Sequence, residues 1–82
     1  MRLNHDVRKA VEQLKKGDKE GFNTLYSHTY NYVYSRARNS IHDEQEALDL
    51  LQEVYISAYK SIGSLKDPDS LYAWLGSITI RQ

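Results

Sequence analysis

Apolar residues return at steps of three and four along almost the whole chain, and this spacing restricts it to helices packed side by side. Phe22, Leu25, Tyr26, Thr29, Val33 and Ala37 fall on one side of a cylinder at 100° per residue, as do Ala47, Leu50, Leu51, Val54, Ala58 and Ile62. A shorter set, Val7, Ala10, Val11 and Leu14, precedes them, and Leu71, Trp74, Leu75 and Ile78 follow. Breakers are few, four Gly and one Pro, and most of them separate the periodic stretches. The pattern predicts an all-α fold, a compact bundle of four helices. The first runs from Asp6, its N-cap, to Lys16, with Gly17 as the stop. Asp18 caps the second, which reaches about Asn39. Asp43 caps the third, with Glu46 answering three residues on as in a capping box, and Gly63 ends it. Gly63 to Asp69 reads as a loop, because Pro68 drives Asp67 away from helical angles. Ser70 or Asp69 caps the fourth. That helix meets no Gly, Asn or Pro before Arg81 and Gln82, so it is expected to be cut short, the chain being a piece of a longer protein that continues after Gln82.

With 82 residues there is material for one domain and a thin core, which excludes a multidomain enzyme. The absence of Cys removes disulfides, thiol nucleophiles and Cys-based zinc sites, so nothing calls for an oxidising compartment and the expected location is the cytoplasm. A mean hydropathy of −0.69 leaves no run near the about 20 apolar residues a spanning helix needs, and no signal peptide is present, so no membrane insertion is expected. His5, His28 and His42 have no i, i+4 partner, and no phosphate loop, nucleophile elbow or convergent carboxylate pair occurs. No catalytic residue, metal or cofactor is therefore assigned.

The 11 basic and 11 acidic side chains cancel in total but not locally. Residues 21–41 carry Arg36 and Arg38 with no acid, whereas residues 42–53 carry Asp43, Glu44, Glu46, Asp49 and Glu53 with no base. Asp43, Glu44 and Glu46 suit the positive end of a helix dipole. Asp49 and Glu53 lie further in, opposite the apolar stripe, on a face shared with Ile56 and bordered by Gln52 and Tyr59. Such a face is either a partner surface or a polar face carrying one of the single exposed apolar residues common on proteins. Seven Tyr raise the possibility of base stacking. Tyr26 and Tyr55 sit on or beside the core stripes and Tyr30, Tyr32 and Tyr34 on the flanks of the second helix, which leaves Tyr59 and Tyr72 free. Trp74 reads first as an anchor between helices and second as a base contact. Composition and spacing by themselves end at a small helical interaction module.

The order of the segments goes further. G-D-K-E-G-F-N-T-L-Y from Gly17, Y-N-Y-V-Y-S-R-A-R from Tyr30, A-L-D-L-L-Q-E-V-Y-I-S-A-Y-K-S-I from Ala47 and L-K-D-P-D-S-L-Y-A-W-L-G-S-I from Leu65 together resemble region 2 of extracytoplasmic-function (ECF) sigma factors, the promoter-recognition subunits of bacterial RNA polymerase. The most specific pieces are D-L-L-Q-E-V-Y at Asp49 to Tyr55 and S-L-Y-A-W-L at Ser70 to Leu75. The resemblance implies one region 2 domain over residues 1–82, without the second domain (region 4) that reads the −35 element. It implies that Asp49, Gln52, Glu53 and Ile56 dock on the clamp coiled coil of the polymerase's largest subunit. It also implies that the loop and the start of the fourth helix capture a flipped base of the non-template strand at the −10 element, which maps to Leu65, Lys66, Asp67, Ser70, Tyr72 and Trp74, with Lys66 and Arg81 neutralising phosphates.

An anti-sigma factor is a further partner that the resemblance admits. The chain departs from the family where Ser77 and Ile80 replace bases and where Leu65 and Leu71 replace aromatics, so a weak phosphate grip is expected. The implied function is −10 recognition, promoter melting and core polymerase binding in transcription initiation. The alternative is a sigma-like protein–protein module that does not open promoters.

Overall fold

In the computed structural model, which describes residues 4–81 with the side chains of residues 4–79, four α-helices follow one another: α1 (His5–Lys15), α2 (Gly21–Ser40), α3 (Glu44–Lys60) and α4 (Leu71–Arg81). No strand occurs among the described residues. The all-α, four-helix bundle expected from the periodicity is the fold observed.

The ends of the helices follow from capping chemistry. Asn4, not Asp6, caps α1, its side chain accepting from the Asp6 backbone N–H at 2.7 Å. An Asn caps as well as an Asp, and starting earlier leaves the Asp6 carboxylate in the first turn, where it meets the positive end of the dipole. The far end closes in a Schellman motif: the Asp18 N–H donates to the Gln13 carbonyl at 2.8 Å and the Gly17 N–H to that of Leu14 at 3.0 Å. Gly17 takes φ +85°, a conformation that only glycine adopts without strain. Asp18 then accepts from the Glu20 N–H at 3.0 Å, so it caps the turn that leads into α2 rather than the helix proper. Asp43 caps α3 as expected, accepting from the N–H groups of Gln45 and Glu46 at 2.8 and 3.2 Å.

The segment read as a loop between α3 and α4 is tighter than its composition suggests, because it holds two 3₁₀ turns, Ile62–Ser64 and Pro68–Ser70. Asp67 caps the second turn by accepting from the Asp69 N–H at 3.0 Å, so that Asp69 and Ser70 lie within this turn, directly ahead of α4. Pro68 suits the first position of that turn, since its fixed φ matches and its missing N–H is not needed there.

Packing is organised around α2, which touches α1, α3 and α4, while both 3₁₀ turns lie against α1. The α2 side of the core is a file of Gly21, Leu25, Thr29, Val33 and Ala37. Facing it are Val7, Ala10, Val11 and Leu14 from α1, Ala47, Leu51, Val54, Tyr55 and Ala58 from α3, and Leu71, Leu75 and Ile78 from α4. Phe22 and Tyr26 stand at the edge of this core, half-buried, because the closest approach of α1 falls on Gly21 instead. A Cβ on Gly21 would lie 2.4 Å from the Ala10 carbonyl oxygen. Replacing Gly21 with Ala is therefore expected to destabilise the fold by about 1–3 kcal/mol, as overpacking against rigid backbone does. Gly63→Ala, where a Cβ would meet nothing within 4 Å, is the matched control in chemical denaturation.

One polar chain crosses the interior. Thr29 Oγ1 donates to the Leu25 carbonyl at 2.8 Å, and so it accepts from the Tyr55 hydroxyl at 2.6 Å. Burial pushes the Tyr55 phenol up to about 12, the bond with Thr29 partly offsetting it. A folded pKa above the unfolded value means that this contribution to stability is complete below pH 10 and is lost as pH rises towards 12. Unfolding free energies measured from neutral to strongly alkaline pH are expected to fall by about 2–3 kcal/mol through this group. Tyr55→Phe is expected to flatten that fall while lowering neutral stability by about 1 kcal/mol.

Candidate functional site

Two surfaces carry the residues singled out from the sequence, and they lie on different elements. The first is the outward face of α3. Asp49, Gln52, Glu53 and Ile56 are all exposed, on the side of the helix away from Leu51, Val54 and Ala58. Ile56 is 53% exposed, more than an isoleucine gains anything from in water. Gln45 donates from its side-chain amide to Asp49 at 3.2 Å, one turn of helix back, which holds the carboxylate on that face.

Tyr59, at the border of the face, is not free as its sequence position suggested. Its ring stacks on Phe22 with centroids 4.5 Å apart and planes 20° apart, and the partial burial pushes its phenol pKa upward. It joins a run of aromatic rings along α2, in which Phe22, Tyr26 and Tyr30 follow at 5.5 Å spacing and Tyr30 stacks on Tyr34 at 5.8 Å. This run closes the edge between α2 and α3, with Tyr26 4.7 Å from Tyr55.

The second surface is an open pocket of ≈ 320 Å³ between the connection that follows α3 and the start of α4. Its lining includes Leu65, Lys66, Asp67, Ser70 and Trp74, five of the residues that the resemblance mapped to DNA, brought together from both sides of Pro68. Its size is at the lower end of sites that hold small molecules, of about 300 Å³. Ser64, Ala73 and Ser77 complete it. Ala73 and Ser77 lie three and seven residues after Ser70, a helical spacing that sequence reading had the means to catch. Ser64 had no such signal.

Within this pocket the side chains are not equivalent. Leu65 is 2% exposed and belongs to the hydrophobic core, so its side chain holds the wall in place and presents no stacking surface. An aliphatic residue at that point is drawn into the bundle, where burial of a leucine contributes about 1.5–3 kcal/mol. Asp67 is occupied as the cap of its turn. Lys66 and Ser70 are exposed. Trp74 is half-buried, and its indole N–H donates to the Ser64 hydroxyl at 3.2 Å, which agrees with the anchor expected of it and leaves the ring along the pocket.

Tyr72 does not line the pocket. Its hydroxyl donates to the His28 carbonyl at 3.1 Å and its ring meets Tyr32 edge-on at 5.0 Å, so it belongs to the seam between α2 and α4. One residue's step along a helix is 100°, and Tyr72 is two residues past Ser70, which turns it to the other flank. The side chain of Arg81 lies outside the described residues.

A residue the sequence did not point to supports the pocket from behind. Arg8 on α1 forms an ion pair with Asp69, tying the turn that carries Asp67 and Ser70 to the first helix. The two side chains are 34% and 35% exposed, so the pair's chief effect is geometric. Sixty-one positions separate them, too far for any local pattern to reveal the contact.

Among the described residues no cluster of three or more His, Asp or Glu is placed to hold a metal ion, and no helix is long and apolar enough to cross a membrane. The two surfaces can bind, one through an acidic and amide-bearing strip with an apolar centre, the other through a partly aromatic recess beside an ammonium group.

Comparison with known proteins identifies the family of the chain. Residues 25–82 match the sigma-70 region 2 family. The RNA polymerase sigma-H factor of Pseudomonas aeruginosa is 34% identical over 70 residues, which is 85% of this chain and 36% of that protein. The ECF RNA polymerase sigma-E factors of Haemophilus influenzae and Escherichia coli are 34% and 33% identical, again over 85% of this chain and 36% of theirs. The chain thus spans about a third of the length of the curated relatives it matches. No solved structure gives a significant match. With most of its length inside the region 2 match, and with four helices ordered as the segments predicted, the chain belongs to the sigma-70 region 2 family and is similar to its ECF members.

Proposed function

We propose that residues 1–82 form the −10 recognition and core-polymerase-binding domain of an ECF-type sigma factor, a non-enzymatic initiator of transcription acting in the cytoplasm. The observation that carries this reading is the α3 strip, in which Asp49, Gln52, Glu53 and the 53% exposed Ile56 share one accessible face. Such a strip suits a basic coiled coil: complementary charge sets register and on-rate, and Ile56 supplies apolar area that becomes buried on docking. The clamp coiled coil of the polymerase's largest subunit is the partner of that chemistry. The names of the relatives, all RNA polymerase sigma factors, support the same assignment.

The pocket at the start of α4 is the proposed receptor for a base flipped from the non-template strand. Trp74 lines it with an aromatic surface, Ser70 offers a hydroxyl to a base edge, and Lys66 faces the sugar-phosphate chain. Phosphate contacts dominate the affinity of such complexes, and a neutral domain has few to offer, so promoter binding is expected to require the polymerase. The same scarcity motivates a second reading, a polymerase-docking module that does not melt promoters. Permanganate footprinting of reconstituted holoenzyme separates the two, because unpaired thymines within a −10 element appear only under the first.

The docking assignment is tested by calorimetric titration of the chain against the clamp coiled coil of its own polymerase. Wild type is expected to bind, and Glu53→Arg to lose at least tenfold in affinity while melting at an unchanged temperature, since Glu53 is exposed and distant from the core. Equal binding by the two proteins, or none by a folded wild type, sinks the assignment.

A further inference from the structure

On the reading that the pocket receives promoter DNA, α4 presents a difficulty: Leu71 to Thr79 contains no cation to meet a strand that leaves the pocket across this helix. From the geometry we infer that Arg36, on α2, is the phosphate-binding residue of that crossing, lent to α4 by the neighbouring helix.

Arg36 is exposed, and its guanidinium rests where α4 has Gly76. A Cβ at that position would come 3.2 Å from Arg36 Nε and 3.0 Å from Tyr32 Oη, so the missing side chain is what lets the group lie close over the helix. Nε donates to the Tyr32 hydroxyl at 2.9 Å, and the guanidinium carbon lies 5.0 Å from the centre of the same ring. Tyr32 is held in turn by the edge-on ring of Tyr72, which is pinned to the His28 carbonyl. The arginine is thereby oriented before any ligand arrives, and less freedom is lost when it binds one.

Its position on the helix surface matters as much. Gly76 follows Tyr72 by one turn and so lies on the flank of α4 that faces α2, and it follows Ala73, which lines the pocket, by three residues, one step round the helix. Arg36 therefore stands on the α2 flank of α4, and the exposed Ala73 lies between it and the pocket that Lys66 lines. Around Arg36 itself the charges favour an anion, the Asp67 carboxylate lying across the pocket beside Lys66. Residues 21–41 contain no acid, the described part of α4 contains none, and Asp69 at the head of that helix is paired with Arg8. Among the described residues no carboxylate pairs with Arg36, and its bond to Tyr32 uses Nε alone, which leaves the two terminal nitrogens for the bidentate contact that guanidinium makes with phosphate.

The test is a fluorescence-anisotropy titration of the chain in complex with core polymerase, at salt concentrations from about 50 to 200 mM. Two DNA probes are used, a single-stranded −10 non-template oligonucleotide and an upstream fork with a duplex arm. Arg36→Ala is expected to weaken binding about tenfold at the lowest salt and to reduce the slope of log affinity against log salt by about 0.7 to 0.9, the release expected for one phosphate contact. Arg36→Lys is expected to keep the slope and lose part of the affinity, because it preserves charge without the planar contact to Tyr32. Gly76→Ala leaves every charge in place, pushes the guanidinium off the helix and is expected to lower affinity in the same direction. Loss on the single strand assigns the contact to the melted strand, and loss confined to the fork assigns it to duplex phosphate.

The proposal is overturned if Arg36→Ala matches wild type on both probes while Lys66→Ala weakens them, which would leave the pocket reading intact. It falls together with that reading if wild type itself binds neither probe. Thermal melting of each variant excludes unfolding as the cause.

Discussion

The hydrogen-bonded chain from Tyr55 through Thr29 to the Leu25 carbonyl lies where α2 meets α3, and the disposition of both candidate surfaces depends on it. A hydroxyl in an apolar core costs free energy unless it is partnered, so the two helices are held to the one register in which Tyr55 reaches Thr29. Apolar side chains alone tolerate small slips and rotations; a directional bond does not. With α3 set at this angle, Ala47, Leu51, Val54 and Ala58 turn inward and Asp49, Gln52, Glu53 and Ile56 necessarily turn out.

A second constraint is the close approach of helices at two glycines. Gly21 brings α1 so close that the Ala10 carbonyl nearly touches its Cα, and Gly76 lets Tyr32 and Arg36 settle onto α4. Small residues at the two contacts allow one central helix to be covered by three neighbours within a chain of only 82 residues. The radius of gyration, 12.2 Å, is close to the about 12 Å expected of a well-packed chain of this size. Packing α1 tightly has a further effect, since Arg8 then stands where it can pair with Asp69 and steady the turn beside the pocket. The element furthest in sequence from the pocket is therefore part of its foundation.

The helices and their inward faces were legible because periodicity is a local property of a chain. Val7, Ala10, Val11 and Leu14 are buried as their spacing required, as are Leu71, Leu75 and Ile78. The outward position of Asp49, Glu53 and Ile56 followed from the same wheel. Capping was less legible, since Asn4, Asp6, Asp67, Asp69 and Ser70 are all competent caps and the choice among them rests on where each helix best meets its neighbours. The two short 3₁₀ turns around Leu65 have too few residues to show a period at all.

What the sequence determined by itself was the helical class, the residues that face inward on each helix and the family likeness carried by D-L-L-Q-E-V-Y and S-L-Y-A-W-L. All of these depend on residues a few positions apart. Only the tertiary structure decided that Leu65 is core while Trp74 lines the pocket, that Tyr72 faces α2, that Tyr59 lies on Phe22 and that Arg36 rests over Gly76. Each of those depends on how one helix is rotated against another, and that rotation is settled by packing and by a few directional bonds between residues far apart in the chain, which no local spacing encodes.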